Sequence, residues 1–371
     1  MTSFIPNNQP GRIHIDGMTV NGPLEHHALG ELFYKAVSDT RDEVIAVGAS
    51  GQKQRGKAYT DKPYVRSNEV QPDGTALKLQ IDCCPPKVLQ MHNFFGHDDL
   101  LDYNYAVFNR VVNQFMLPVE PHEHEEWRTG QVSVTNVHLC GNFHVDTALK
   151  MPIFDAVDRN NSSGKHRPRV TNISLGWKAN GSKSEYHTLS LYDKYLEQVK
   201  EWKNAGPLQQ AILAKARTSI RVEVKLNSQW LRANDLQYVM RWKDIDVQAI
   251  FFAVLATYDV ANAIQPLPED SQLVLLSQAA RRAYSLWLGG VDLSTAYGRT
   301  GVWKHRTEVL SVLGIDMRGQ NRPVAKPVVQ MRAVLTPNNI VPLPSWALDS
   351  PRYWVPGTAF LENDGQRQNA Q

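Results

Sequence analysis

Residues 184–198 read SEYHTLSLYDKYLEQ, and the spacing of the apolar side chains changes within that stretch. From Tyr186 to Lys194 the pattern alternates. Leu189 and Leu191 point one way, whereas Tyr186, Thr188, Ser190, Tyr192 and Lys194 share the other face. From Lys194 the spacing turns helical and runs to about Arg217, with a break at Gly206-Pro207. A strand thus runs directly into a helix, with three tyrosines and a lysine around the junction. The neighbouring segments have to explain what that polar face is for.

Working outward, TNISLGW and KANGSK, with its Asn180-Gly181 pair, make the segment one arm of a hairpin. Downstream, SIRVEVKL (Ser219 to Leu226) puts Ile220, Val222, Val224 and Leu226 on one face and Arg221, Glu223 and Lys225 on the other. Upstream, QVSVTNVHLCGNFHVD (Gln131 to Asp146) is a long strand pattern. His138, Cys140, Asn142, His144 and Asp146 share one of its faces, and Gly141 is a candidate bulge. HDDLLDYNYAVFNRVVNQFM carries Leu100, Leu101, Tyr105, Phe108, Val111, Val112 and Phe115 at helical spacing behind Asp98 or Asp99, which predicts an amphipathic helix. Before it lies an irregular β-rich start that closes on the strand TALKLQID, Thr75 to Asp82. Beyond Leu226 the pattern is mostly helical to about Leu313, broken at Pro266 to Pro268 and at Gly289-Gly290. A proline-rich tail follows Arg318, with one strand expected at KPVVQMRAVL. This order predicts an α+β fold: a largely antiparallel sheet with packed helices, then a mainly helical C-terminal domain. The expected domains are a catalytic one over residues 1–235 and a DNA-binding one over 236–371 that ends in the proline-rich tail.

Composition narrows the function classes. Hydrophobic residues at 42% and charged residues at 21% fit a soluble globular chain, and no apolar run reaches the roughly 18 residues that a membrane span needs, so no membrane partner is expected. The N-terminus lacks a basic start followed by an apolar core, which argues against secretion. Cys83, Cys84 and Cys140 are odd in number and lack metal-type spacing, so they read as the reduced thiols of a cytoplasmic protein. A net charge of +3 is too small to argue for nucleic acid on its own. Local clusters carry that case: Arg159, Lys165, Arg167 and Arg169 in RNNSSGKHRPR, and Arg299, Trp303, Lys304 and Arg306 in GRTGVWKHR. Basic loops suit phosphate tracking, and a basic helix beside a tryptophan suits groove insertion or base stacking; a solvated basic face is the plainer alternative for each.

Three strands therefore each offer an apolar face and a face of histidine, carboxylate, lysine and tyrosine. Such a face suits tyrosine attack at phosphorus. A phenolate displaces one oxygen of a phosphodiester and holds the DNA as a phosphotyrosine ester, so the bond energy is kept for rejoining. Tyr192 is the expected nucleophile and Lys194 its electrostatic partner, with Tyr195 and Tyr186 in reserve. His138 and Glu223, with His144 or Asp146, are candidate ligands for a divalent cation. The competing readings are a satisfied core histidine for His138 and an internal ion pair for Glu223 with Arg221 and Lys225. His92 and Asn93 in QMHNFFG cap the next helix or bind phosphate, and His122 and His124 in PHEHEE read as a solvated acidic loop.

SLYDKYLEQ followed by SIRVEVKL resembles the tyrosine-lysine-glutamate strand and the later Arg-x-Glu strand of the gene II type replication initiators of filamentous phages and related plasmids. PPKVLQMHNFFGHDDL, QVSVTNVHLCGNF and AYSLWLGGVDLSTAYGRTGVWKHRTEVLSVLGIDM are similar to further segments of that family, in the same order, from about Leu77 to Met317. The chain departs from the family pattern at Met91, Asn136, His138 and Trp303, where glycine, arginine, aspartate and tyrosine are usual. The resemblance implies a nickase-like catalytic domain in a rolling-circle initiator. Such an enzyme is a metal-dependent endonuclease that uses Mg²⁺ or Mn²⁺, nicks a double-stranded origin through a 5′-phosphotyrosine and rejoins the displaced single strand. It also implies that Arg221, His92 and Asn93 contact DNA, that host helicase and polymerase are partners, and that the host bacterial cytoplasm is the site of action. A non-catalytic origin-binding regulator and a mobilisation relaxase are the alternatives.

Overall fold

The computed structural model describes residues 8–39, 42–49, 52–53, 63–160, 172–177, 185–258, 270–289, 291–315, 317, 331–348, 350 and 353–356. Its strands are β1 (Asn8–Gln9), β2 (His14–His27), β3 (Leu32–Asp39), β4 (Asp42–Ala49), β5 (Gln52–Lys53), β6 (Tyr64–Val70), β7 (Thr75–Cys83), β8 (Ser133–His144), β9 (Asn172–Trp177), β10 (His187–Tyr192), β11 (Ser219–Asn227) and β12 (Leu343–Pro344). The helices are α1 (Pro85–Gln90), α2 (Leu100–Phe115), α3 (Pro121–Thr129), α4 (Thr147–Asn160), α5 (Lys194–Glu201), α6 (Pro207–Arg217), α7 (Ser228–Ala233), α8 (Val247–Ala256), α9 (Asp270–Leu273), α10 (Gln278–Leu288), α11 (Leu293–Ala296), α12 (Arg299–Leu313), α13 (Met331–Val334) and α14 (Ser345–Leu348). None of these helices is long and apolar enough to cross a membrane.

Eight strands make one antiparallel sheet in the order β5-β6-β7-β2-β8-β11-β10-β9. The α+β reading and the antiparallel pairing expected from the alternating strands are both found. The apolar faces of the three key strands are fully buried: Val137 and Leu139 on β8, Ile220, Val222, Val224 and Leu226 on β11, Leu189 and Leu191 on β10. They share one core with Phe251, Val254 and Leu255 of α8 and with Tyr103, Val107, Phe108 and Val111 of α2. Each such aliphatic side chain contributes roughly 1.5–3 kcal/mol of transfer free energy, so the β8–β11–β10 register is strongly fixed. The expected amphipathic helix is α2, and Asp99 caps it by accepting from the Asp102 amide.

Four expectations change. The N-terminal region is regular, since β2 is fourteen residues long and sits at the centre of the sheet. PHEHEE belongs to α3: Pro121 stands in the first turn, the Glu120 and Glu123 side chains form a capping box, and Trp127 is buried one turn after Glu123. Helix α4, with Pro152 inside it, lies where no element was expected. In KPVVQMRAVL, residues Met331–Val334 are a helical turn, and the preceding residues lie outside those described.

The expected boundary at residue 235 cuts through a core. The sheet's core continues through Leu236, Val239, Trp242, Val247 and α8, then takes up Met331 and Ile340 from beyond the helical region. Helices α10, α11 and α12 instead enclose a separate core of Ala283, Tyr284, Trp287, Leu293, Val302 and Val309. The later segment returns to the sheet: β12 pairs with β1, and Ile340 bridges to Phe143.

Candidate active site

Cross-strand register places the polar residues in rows on one face of the sheet. His14 on β2 faces Cys140 on β8, which faces Glu223 on β11, which faces Ser190 on β10. One row along, Asn142, Arg221 and Tyr192 are aligned, and on the other side His138 faces Lys225. Directly opposed antiparallel residues have Cβ atoms about 5 Å apart, so a cluster forms where rows of ionisable groups adjoin.

A bulge in β2 completes it. The β2–β8 register shifts between Ile15 and Gly17, which inserts Asp16 into the polar face beside His14. The next residue has to be glycine, because a Cβ on Gly17 would lie 2.9 Å from the His138 ring. Asp16 Oδ1 accepts from Asn93 Nδ2 at 2.8 Å and from Cys84 Sγ at 3.4 Å, and forms an ion pair with Arg221 Nη2 at 2.7 Å. Arg221 also donates from Nη1 to the Asn93 carbonyl at 2.6 Å and lies with Nε 3.6 Å from Glu223 Oε1. The Tyr192 hydroxyl donates to that same Glu223 Oε1 at 3.1 Å.

The strand ends at Tyr192, and the turn into α5 brings Lys194 back over it. Its Nζ lies 5.7 Å from the Tyr192 ring centroid and donates to Glu197 at 2.9 Å, with the lysine almost fully buried. Asp193 holds this turn, because its Oδ1 accepts from the Tyr195 amide at 3.0 Å and from Lys150 Nζ of α4 at 3.0 Å. Lys150, itself buried, also donates to the Ala216 carbonyl at the end of α6.

The electrostatics follow from burying charges together. Burial alone would raise Asp16, but Arg221, a hydrogen bond from Glu223 and the Lys194 charge outweigh it and hold Asp16 well below the usual carboxylate range. Burial and the Asp16 charge instead push Glu223 up to about 8. Two adjacent carboxyls thus stand in opposite states, one ionised and one protonated at neutral pH. Burial lowers His14 to about 3 and His138 to about 4, so both imidazoles are neutral. Burial also pushes the Tyr192 phenol well above its ordinary value, and Arg221 only partly opposes this.

The expected site residues divide. Tyr192, Lys194 and Glu223 come together, with Asn93 at the back of the cluster and His92 beside it against Gln90, whereas His138 stands one row along the same face, opposite Lys225. His144 and Asp146 do not join them. His144 stands six residues along β8 from His138, a distance of about 20 Å. Asp146 is exposed and accepts from the Ala148 amide at the start of α4. Arg221 is fully buried between Asp16, Glu223 and the Asn93 carbonyl, which leaves it no open face for a phosphate; it is an internal counter-ion. Tyr195 packs under Arg217, and Tyr186 lies just before the far end of β10.

Lys165, Arg167 and Arg169 lie outside the described residues, and Arg159 is described only as part of α4. Arg299, Trp303, Lys304 and Arg306 all lie on α12, where Trp303 is 68% exposed. Arg299, Trp303 and Arg306 line a groove of about 650 Å³ between α11 and α12.

Sequence reasoning missed His14, Asp16 and Lys150. The alternation of Ile13, His14, Ile15 and Asp16 in RIHIDG was the available signal for the first two, since it puts histidine and carboxylate on one strand face. His14, Asp16 and Cys140 are all buried and offer ligand atoms within 4.8 Å of one another. A neutral imidazole and an ionised carboxylate, with Glu223 alongside, suit a divalent cation.

The comparisons bear on this arrangement. Residues 43–245 match the family described as the N-terminal part of a phage replication-associated protein. The chain belongs to this family of replication-associated proteins. The family match runs from within β4 to beyond α7, and so includes Tyr192, Lys194, His138, Cys140 and Glu223; His14 and Asp16 precede it. The replication-associated protein of Enterobacteria phage I2-2 is 24% identical over 259 residues, which cover 68% of this chain and 73% of that protein. No solved structure matches.

Proposed function

We infer that this protein is a rolling-circle replication initiator that nicks one strand of a double-stranded origin and later rejoins the displaced strand, with Tyr192 as nucleophile. The observation that carries this reading is the Tyr192 hydroxyl donating to a Glu223 carboxylate oxygen at 3.1 Å, beside a buried Lys194, in a member of a replication-associated family. Tyr192 Oη forms the bond to phosphorus and the P–O3′ bond breaks. The phenolic proton passes to Glu223 Oε1 in the molecules whose Glu223 is ionised, and the leaving O3′ takes up a proton to become a 3′-hydroxyl that a host polymerase can extend. The 5′-phosphate stays on the tyrosine. Rejoining is the reverse: a 3′-hydroxyl attacks the ester and the phenol leaves.

A high phenol pKa makes ionisation in advance costly, so proton transfer to Glu223 accompanies attack. Glu223, pushed up to about 8, is mostly protonated at neutral pH, so the fraction able to accept the phenolic proton grows as pH rises towards 8. Lys194 supplies fixed positive charge beside the Tyr192 ring, where the phenolate develops negative charge, and Arg221 adds to that field as a buried counter-ion. His14, Asp16 and Glu223 would hold the divalent ion, Mg²⁺ or Mn²⁺, which neutralises non-bridging phosphoryl oxygens when bound. Helix α12 supplies duplex affinity through Arg299, Lys304 and Arg306, with Trp303 available to stack, and the basic segment from Arg159 to Arg169 tracks the single strand.

The test is a nicking assay on supercoiled origin DNA with Mg²⁺ or Mn²⁺, followed by peptide mapping of the covalent protein–DNA adduct. An adduct on the peptide that carries Tyr192 is expected. Origin binding with no nick under either ion would make the protein a non-catalytic regulator.

A further inference from the structure

The buried centre contains sulfur where chemistry at phosphate has no use for it. Cys140 Sγ lies 3.0 Å from His14 Nε2, the same nitrogen that faces the Asn93 carbonyl at 3.4 Å. Asp16 is two residues from His14; its Oδ1 accepts from Asn93 and Cys84 and pairs with Arg221, and the carboxylate also takes a hydrogen bond from Glu223. Cys140 is wholly buried, and His14 and Asp16 are nearly so. A hard ion such as Mg²⁺ prefers an all-oxygen shell, whereas imidazole, carboxylate and thiolate together form a donor set for a borderline-soft ion that favours four-coordinate geometry.

We propose that this centre binds a thiophilic divalent ion of the Zn²⁺ or Co²⁺ class, with His14, Asp16 and the thiolate of Cys140 as ligands, in place of the hard ion. The inference rests on reading this cluster as ion-binding. Metal–nitrogen and metal–sulfur distances of about 2.0 and 2.3 Å in a tetrahedral shell separate nitrogen from sulfur by about 3.5 Å, so the present pair has to open by about half an ångström. The Cys140 S–H gives up its proton to solvent as the metal–sulfur bond forms, and one proton leaves per ion bound. The fourth position is left to Glu223 or to water. An ion held this way covers the carboxylate that the phosphodiester's own ion needs, so Zn²⁺ acts as an inhibitor that Mg²⁺ does not displace.

The full-length protein, stripped with a chelator, is titrated with Co²⁺ in a thiol-free phosphine reductant. A near-ultraviolet thiolate-to-cobalt charge-transfer band saturating at one equivalent is expected, with about one proton released per ion and bleaching of the band by Zn²⁺. Cys140→Ser should abolish the band, and Cys83→Ser, outside the cluster, should leave it. The Zn²⁺-loaded wild-type protein gives a reading independent of any variant: X-ray absorption should find one sulfur at about 2.3 Å, and a shell of nitrogen and oxygen alone overturns the proposal. A thermal shift with Mn²⁺ separates the two layers. Mn²⁺ stabilisation without a cobalt–thiolate band sinks the sulfur assignment and leaves the ion site standing, whereas no response to either ion sinks both.

Discussion

At the scale of single residues, the proposed chemistry rests on Tyr192 and Glu223 sharing one hydrogen bond. Tyr192→Phe deletes the hydroxyl proposed to carry the ester, so nicking and the covalent adduct should fall by at least about a thousandfold while single-strand binding stays within about twofold, as read by gel and filter binding. Glu223 also leaves a mark on stability. Its folded value of about 8 lies above the ordinary 4.5, so the folded chain holds a proton that the unfolded chain has released, and stability falls as pH rises towards 8. The lowered histidines, His14 at about 3 and His138 at about 4, act oppositely and only below their ordinary 6.5. Between pH 6.5 and 8 the Glu223 effect therefore stands alone among these groups. In a chelator, the urea midpoint of the wild type should drop across that window, and Glu223→Gln should flatten it; equal slopes would mean that the Glu223 carboxyl is already ionised.

At the scale of elements, the junction between β10 and α5 carries the proposed nucleophile, and Lys150 of α4 clamps that junction. The clamp joins α4 to Asp193 and to the Ala216 carbonyl, so three helices and a strand meet at one ammonium group. Lys150→Ala leaves Asp193 buried without its counter-ion and frees the turn that carries Tyr192 and Lys194. Misplacing a nucleophile by a fraction of an ångström costs orders of magnitude less than deleting it, so a loss of about tenfold in the nicking rate constant is expected with substrate binding unchanged. Lys150→Arg should recover part of it. A rate that does not respond to either substitution would show that the local Asp193 cap suffices.

At the scale of the whole molecule, the sheet unit is closed by chain from both sides of the helical unit. A chain ending near residue 240 loses Phe251, Val254, Leu255, Met331 and Ile340 from the main core. At roughly 2–5 kcal/mol for each truncated side chain, the five together match or exceed the roughly 5–15 kcal/mol by which a domain is stable, so such a chain should not fold. Replacing residues 259–330 with a flexible linker removes the separately cored helices and spares the sheet's closure. That protein should cut a single-stranded oligonucleotide yet bind duplex origin poorly. In the intact chain, Lys304→Ala with Arg306→Ala should lower the salt dependence of duplex binding by about one unit of slope per lost phosphate contact. Unchanged duplex affinity in both proteins would reassign α12 to protein contacts.

Local pattern was enough to determine the strands at Ser133, His187 and Ser219, the helix behind Asp99, the polar face of each strand and the nearness of Tyr192 to Lys194. Those features repeat with the two-residue and 3.6-residue periods that burial imposes on a single segment. Tertiary structure alone decided which polar faces adjoin. His14 and Asp16 are more than 120 residues from Cys140 in sequence and more than 200 from Arg221, and only the placement of β2 beside β8 brings them together. The same cause separated His144 and Asp146 from the cluster, because sharing a face says nothing about distance along a strand. Arg221 reads as a DNA contact in one dimension and is an internal counter-ion in three. Burying Asp16 requires a fixed positive charge within hydrogen-bond reach, and no pattern along the chain records that demand.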